Sequence, residues 1–272
     1  MYSPHNLVPA SELAQVSAHT PRWQPGLAAT YHSEVFAGAD EASGAAAALA
    51  LAADALQAAR PACSEAEDHR ALVWVQDRAA LRLGGRPYRP GLPPAFRHRL
   101  IHVVCEKPQD ALFALEESLR CREVAAVIGE VAGNPKAFDF TASRRLTLTA
   151  ERHGVPLWLV RLDARHDLSA ARMRWEVRAA PSPRPRWNAA APGAPAWHAE
   201  LFRARQHPPG VWILGEGEGE ELVLHPIPVR PEQRSSAAPA GAETRARVEG
   251  SPQRLPFDTR PRQARSLLGT NG

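Results

Sequence analysis

The sequence predicts an α/β fold with a mostly parallel sheet, flanking helices and antiparallel strands added on the C-terminal side. Through the middle of the chain, short apolar runs alternate with segments whose apolar residues recur at helical spacing, which is typical of a parallel sheet. Beyond residue 172 strand-like runs follow one another without helical segments between them, which favours antiparallel pairing at the sheet edge.

Three segments are predicted: an N-terminal arm (1–28), a folded domain (29–230) and a disordered tail rich in proline and arginine (231–272). The beginning of the chain lacks a basic segment followed by an apolar core, and no apolar run is long enough to cross a membrane. The three cysteines are odd in number and widely spaced, which favours reduced thiols. We expect a cytoplasmic protein without membrane contact.

The predicted elements follow from apolar runs, caps and stop signals. Strands are expected at 30–36, 72–75, 100–105, 124–128, 155–162, 173–177, 197–205, 211–214 and 222–229. A first helix is expected at 44–59, ended by Pro61, and two more are expected to begin after capping residues Asp110 and Asp139. The last of these ends before Gly154, a usual helix stop.

The net charge of +4 is concentrated in the tail, which carries seven arginines and four acidic residues after position 231. The rest of the chain is nearly neutral. Because neutralisation of phosphates supplies most non-specific affinity for DNA, the composition predicts weak or indirect DNA binding.

The segment 39–46 lies between the first strand and an alanine-rich helix, where a phosphate-binding loop of the form G-x-x-x-x-G-K-[ST] would stand. Gly44 keeps the second glycine of that pattern. Ala45 replaces the lysine that neutralises phosphate, and Ala46 replaces the hydroxyl that holds Mg²⁺. The sequence therefore predicts a decayed nucleotide pocket without a cofactor.

Five segments lie among the predicted elements in a characteristic order, at 32–35, 72–77, 127–131, 141–146 and 169–175. Together they resemble the RecA-fold core and, more closely, the ImuA family of bacterial damage-inducible mutagenesis proteins.

The resemblance implies a second position of the pocket at the end of the second predicted strand, where RecA-type ATPases place a glutamate that orients the attacking water. Arg78 stands there, and arginine stays protonated and cannot act as a base. The neighbouring Asp77 is either a diverged substitute or, more simply, a capping carboxylate.

The other two positions of the pocket have also changed. The same resemblance implies a metal-holding aspartate where Gly129 stands, and Glu130 is one residue away, so we expect it on the opposite face of the strand unless the chain bends at Gly129. At the end of the fifth strand, Arg161 and Leu162 occupy the place where RecA proteins carry a polar phosphate sensor. Four such departures argue against phosphoryl transfer, which depends on positioned charge.

The resemblance to ImuA proteins implies a degenerate RecA-like domain and a non-catalytic adaptor in SOS-induced translesion DNA synthesis. The implied partners are ImuB, a Y-family polymerase relative, and indirectly an error-prone DnaE-type polymerase; a RecA-like face could also dock RecA itself.

Partner contacts are expected in the C-terminal region, where tryptophans and arginines concentrate and the tail holds a short apolar island. The candidate residues are Arg172, Arg174, Leu255 and Phe257. The alternative for the tryptophans is packing within a small sheet.

Two other functions remain open at this stage. One is a division inhibitor of the SulA type, which also resembles a trimmed RecA fold but is shorter than this chain. The other is a diverged NTPase with an unconventional pocket, which the missing lysine disfavours.

Overall fold

The computed structural model describes residues 21–28, 30–60, 68–185, 188, 190–217 and 221–226. Nine strands of this part of the chain form one sheet. They are β1 (His32–Ala37), β2 (Ala71–Asp77), β3 (Leu100–Cys105), β4 (Val124–Ala132), β5 (Leu157–Leu162), β6 (Met173–Ala179), β7 (Ala196–Ala204), β8 (Gly210–Glu216) and β9 (Leu222–His225).

The strand order is β3-β2-β4-β5-β1-β6-β7-β8-β9. The first six strands in this order run parallel, and β7, β8 and β9 add in antiparallel fashion. The predicted fold class, a mostly parallel sheet with antiparallel C-terminal strands, is therefore confirmed.

Helices cover both faces of the parallel part. They are α1 (Ser43–Ala58), α2 (Arg78–Gly84), α3 (Pro94–Arg97), α4 (Pro108–Arg120) and α5 (Phe140–His153). Helices α1, α2 and α3 contribute to the hydrophobic layer on one face, and α4 and α5 to the layer on the other. None of these helices combines the length and apolar character needed to cross a membrane.

The helix ends show which capping predictions hold. The Asp139 carboxylate accepts the N–H of Ala142 at 2.7 Å, and Gly154 ends α5 with a left-handed φ of 69°. The Asp110 prediction is wrong, because α4 already begins at Pro108 and Asp110 lies in its first turn. Proline suits the first helical position, where its missing N–H costs nothing.

Helix α1 lies against the sheet through small side chains. Four alanines and one leucine form most of its buried face: Ala47, Ala48, Leu51, Ala52 and Ala55. On the same side, Trp23 packs edge-on against Trp175 and Trp212, with ring centroids 4.8 and 5.5 Å apart. The small helix face thus lets α1 approach the strands closely, while aromatic rings fill the layer beside it.

Residues 1–20 of the arm and the entire tail from 231 lie outside the described residues.

Candidate functional site

The loop between β1 and α1 is the place where the sequence predicts a decayed phosphate loop. A Cβ on Gly44 would lie 2.6 Å from the Cβ of Ala37 and 3.1 Å from Cγ1 of Val160. Such contacts are too close, so the glycine permits the helix to approach the sheet. Ala45 and Ala46 are half-buried and pack against the hydrophobic layer of α1.

A carboxylate binds the backbone of this loop. The N–H of Ala39 donates to Oδ1 of Asp163 at 2.9 Å, and the N–H of Asp163 donates to the carbonyl of Ala37 at 3.0 Å. Asp163 follows β5 and has a φ of 50°, a left-handed conformation that Asp tolerates better than most residues. The protein therefore places its own negative charge against a loop N–H.

Two further carboxylates belong to the loop itself. Oε2 of Glu41 accepts the N–H of Ala179 at 2.9 Å, which ties the loop to the end of β6. Oδ1 of Asp40 lies 2.5 Å from the position that a Cβ on Gly38 would occupy, so this side chain folds back over the loop. Together with Asp163, these groups give the loop a negative potential that disfavours phosphate.

Asp77 caps a helix. Its side chain accepts the N–H of Ala80 at 2.6 Å at the start of α2. Burial raises the pKa of Asp77, and the backbone hydrogen bonds oppose that shift. The simpler of the two sequence interpretations, a capping carboxylate, matches this geometry.

The two neighbouring residues of β4 face opposite ways, as the alternation along a strand predicts. A Cβ on Gly129 would lie 3.0 Å from Leu115 of α4, so Gly129 faces the layer of α4 and α5. Glu130 pairs with Val160 across the sheet and lies on the α1 face with it. The strand continues to Ala132 without the bend at Gly129 that the sequence left open. Alternation along an unbroken strand therefore puts Glu130 on the side of the loop.

The Glu130 carboxylate is engaged in a buried network that leads away from the loop toward β2. Nε1 of Trp74 donates to Oε1 at 2.6 Å, and Nε2 of Gln76 donates to Oε2 at 3.0 Å. Oε1 of Gln76 in turn contacts Nε2 of His102 at 2.8 Å. Burial raises the pKa of Glu130, Asp77 adds to the rise, and the two hydrogen bonds oppose it.

A second buried polar group lies on the opposite face, around Glu34 of β1. Its Oε2 accepts Nε of Arg174 at 2.7 Å, and its Oε1 accepts the hydroxyl of Ser169 at 2.8 Å. Arg161 lies 3.9 Å from Oε1 and donates through Nη2 to the carbonyl of Gly133 at 3.0 Å. Arg161 and Arg174 therefore join three adjacent strands, β5, β1 and β6, through one carboxylate.

Aromatic rings shield this ionic cluster. The guanidinium carbon of Arg174 lies 5.1 Å from the ring centroid of Phe36 and 5.3 Å from that of Phe202. Cations over aromatic faces are favourable, most of all where water is excluded. This cluster was not predicted from the sequence, although opposite charges within otherwise apolar strands could have indicated it.

The predicted partner-binding residues differ in their exposure and in their pairing. Arg174 is buried and paired with Glu34, so its side chain is not available to a partner. Arg172 is partly exposed and pairs with Glu151 at 2.6 Å. Leu255 and Phe257 lie outside the described residues.

The tryptophans of the C-terminal region that the structure describes are core residues. Trp175, Trp197 and Trp212 are all buried. The alternative interpretation, packing within the sheet, is therefore confirmed for these three side chains.

In the described ranges no group of three or more His, Cys, Asp or Glu side chains is placed to hold a metal ion.

Comparisons with known proteins identify no family for this chain. No protein-family model matches the chain, and no curated protein matches it in sequence. Among solved structures the chain is similar to SulA from Pseudomonas aeruginosa, with a TM-score of 0.26 and 22% identity, over 36% of this chain and 76% of that one. A likeness of this size carries no argument about the function of this chain.

Proposed function

We propose that this protein is a non-catalytic adaptor of SOS-induced translesion DNA synthesis and mutagenesis. The observation that supports a non-catalytic role is the hydrogen bond from the Ala39 N–H to the Asp163 carboxylate. A phosphate would have to displace this carboxylate and approach Asp40 and Glu41. Phosphoryl transfer needs the opposite arrangement, with cations around the phosphate.

The place of the adaptor in DNA damage tolerance rests on the resemblance to ImuA proteins. The proposed direct partner is the ImuB-like relative of Y-family polymerases, and an error-prone DnaE-type polymerase joins through it. RecA is a further proposed partner. Contact with DNA is weak or indirect, because the chain outside the tail is nearly neutral.

Titration calorimetry with ATP and Mg²⁺ tests the non-catalytic part, together with phosphate release in the presence of single-stranded DNA. We expect neither binding heat nor turnover above that of a mock purification. Turnover that disappears in Glu130→Ala would instead support a diverged NTPase.

The partners are tested with the tagged full chain, recovered from mitomycin-treated cells and compared with untreated cells. The proposal expects the ImuB-like protein among the proteins enriched after damage. Overexpression provides the matching control: filamentous, undivided cells without any effect on mutagenesis would support a division inhibitor of the SulA type and contradict the adaptor.

A further inference from the structure

Exposed apolar side chains concentrate on the outer side of the α4 and α5 layer. Phe140 and Leu148 of α5 are 50% and 52% exposed, Phe113 of α4 is 65% exposed, and Leu168 of the following loop is 76% exposed. They are four of the nine large apolar side chains that are exposed in the described part of the chain. Single exposed apolar residues are ordinary, but a concentration on one layer indicates a binding surface.

The row on α5 is regular. Phe140, Arg144, Leu148 and Arg152 are spaced by four residues, so they follow one side of the helix. We call these four residues the α5 row. Phe140 and Leu148 are separated by about 12 Å along the axis, at about 1.5 Å per residue. Two apolar side chains thus alternate with two arginines over little more than three turns.

The arginines of the α5 row are the unpaired charges of this helix. Arg145 and Glu151 pair with Glu116 of α4 and Arg172 respectively. Arg144 and Arg152 have no ion pair within the ranges that the structure describes. The row therefore combines apolar contact area with two positive charges that form no ion pair in the described part of the chain.

The neighbouring elements hold the row in place. Nη2 of Arg145 lies 2.7 Å from Oε1 of Glu116, which joins α5 to α4. On the other side, the N–H of Ala170 donates to Oγ of Ser143 at 3.0 Å, which holds the loop containing Leu168 against α5. A surface built on packed elements loses little conformational freedom when a partner binds.

We propose that the α5 row docks an acidic amphipathic helix of a partner protein. Apolar residues of that helix cover Phe140 and Leu148, and its carboxylates pair with Arg144 and Arg152. Helices bind in this way through apolar anchors spaced by three or four residues, and arginines are frequent among the residues that dominate such interfaces. This inference rests on the proposed function, because it names the surface through which an adaptor would hold its partner.

The test is site-specific photo-crosslinking in the full chain, in cells treated with mitomycin. A photoreactive amino acid replaces Leu148, and the matched control carries it at Leu83, which is 49% exposed on α2 at the other face of the sheet. The crosslinked peptide is then identified by mass spectrometry. We expect an adduct at position 148 but not at 83, formed with an acidic segment of amphipathic helical pattern.

Charge reversal supplies the second readout. Arg144→Glu combined with Arg152→Glu should lower the yield of the adduct about tenfold. Both positions are exposed, so thermal unfolding of the double variant should match that of the parent protein. Glu117→Arg on α4 is the control for a general change in surface charge and should leave the yield unchanged.

Other outcomes would overturn the inference. The first two are an adduct of equal yield at position 83 and the absence of any adduct. An adduct with nucleic acid, with a second copy of this chain or with a basic segment would also contradict it. The last is an adduct yield that the charge reversal leaves unchanged. The identity of an acidic partner separates the two proposals. An acidic helix from a protein outside translesion synthesis would support the docking surface and contradict the proposed function, whereas an ImuB-like partner that binds normally to the double variant would do the reverse.

Discussion

Asp163 and Ala39 are 124 residues apart in the chain, yet the Asp163 carboxylate accepts the N–H of Ala39 at 2.9 Å. The contact joins the end of β5 to the loop after β1, two strands that pair directly in the sheet. The parallel register brings the ends of the two strands together, with Ala37 opposite Leu162. The anion that binds this loop is therefore a side chain of the protein itself, the Asp163 carboxylate.

Replacement of Asp163 should separate the hydrogen bond from the backbone conformation. Asp163→Ala loses the bond to Ala39 and forces alanine into a left-handed φ, so we expect a loss of about 1–2 kcal/mol in the free energy of unfolding. Asp163→Asn should lose much less, because its amide oxygen can accept the same bond and Asn tolerates this conformation. Urea unfolding measures both variants, and equal losses would contradict this account.

Glu34 should be far more sensitive to replacement than an exposed glutamate. Glu34→Gln leaves Arg161 and Arg174 buried without a balancing carboxylate, and breaking a buried ion pair costs about 3–5 kcal/mol. Glu176→Gln on β6 is the matched control, since Glu176 is largely exposed, and it should cost less than about 0.5 kcal/mol. Guanidinium unfolding of the two variants compares them. A small loss for Glu34→Gln would show that the cluster contributes little to stability.

His32 should make the protein sensitive to mild acid. Burial lowers its pKa from 6.5 to about 4. Between these values the unfolded chain binds a proton that the folded protein does not, so stability rises from pH 4 to pH 6.5 and is lost on acidification through that range. The contribution is about 3 kcal/mol, at about 1.4 kcal/mol for each pKa unit.

His32→Asn tests this contribution, because an amide can keep the bond to Thr147 without titrating. The Thr147 hydroxyl donates to the carbonyl of Ser143 at 2.9 Å, so it accepts from Nδ1 of His32 at 2.8 Å and fixes the proton on that nitrogen. The pH dependence of unfolding between pH 4 and 6.5 should be shallower in the variant. An unchanged slope would assign the acid sensitivity to other groups.

Glu130 should have the opposite effect on the pH dependence. Its pKa is raised in the folded protein, so above the ordinary value near 4.5 the folded state keeps a proton that the unfolded chain releases. Stability from this group is present at low pH and is lost as pH rises through the folded pKa. The free energy of unfolding of Glu130→Gln, taken relative to that of the parent, should therefore be higher at pH 8 than at pH 5.

Denaturant unfolding at several pH values between 5 and 8 measures this difference. The exposed Glu123 offers a control, since Glu123→Gln should show the same pH dependence of the free energy of unfolding as the parent. If Glu130→Gln also showed the pH dependence of the parent, the burial of Glu130 would have no consequence for proton binding.

The parallel strands could be predicted because strands buried on both faces form continuous apolar runs. The strand β3 was predicted with its observed bounds, Leu100–Cys105. Short helices were not predictable in this way. Helix α2 has seven residues, too few to establish a helical period, and its start depends on the Asp77 cap.

The candidate site was predicted less completely than the strands. The substitutions at Ala45 and Ala46 are visible in the sequence, but the carboxylate that binds the loop is not, because its position depends on the pairing of β1 with β5. The Glu34 cluster likewise requires β5, β1 and β6 to be neighbours. The opposite facing of Gly129 and Glu130 was predicted, but the side of the sheet that each residue faces was not, because the sequence offered no reference for which side of β4 the first helix covers.

The alanine face of α1 sets an upper limit on side-chain size where the helix meets the sheet. Four of its buried positions are already alanine and Gly44 has no side chain, so little volume remains to be removed. Added methylene groups would overpack the contact between α1 and the sheet, and overpacking of this kind lowers the free energy of unfolding by about 1–3 kcal/mol. Sequence variation at the four alanine positions should therefore be limited to glycine, alanine and serine, whether or not a nucleotide was ever bound beside them.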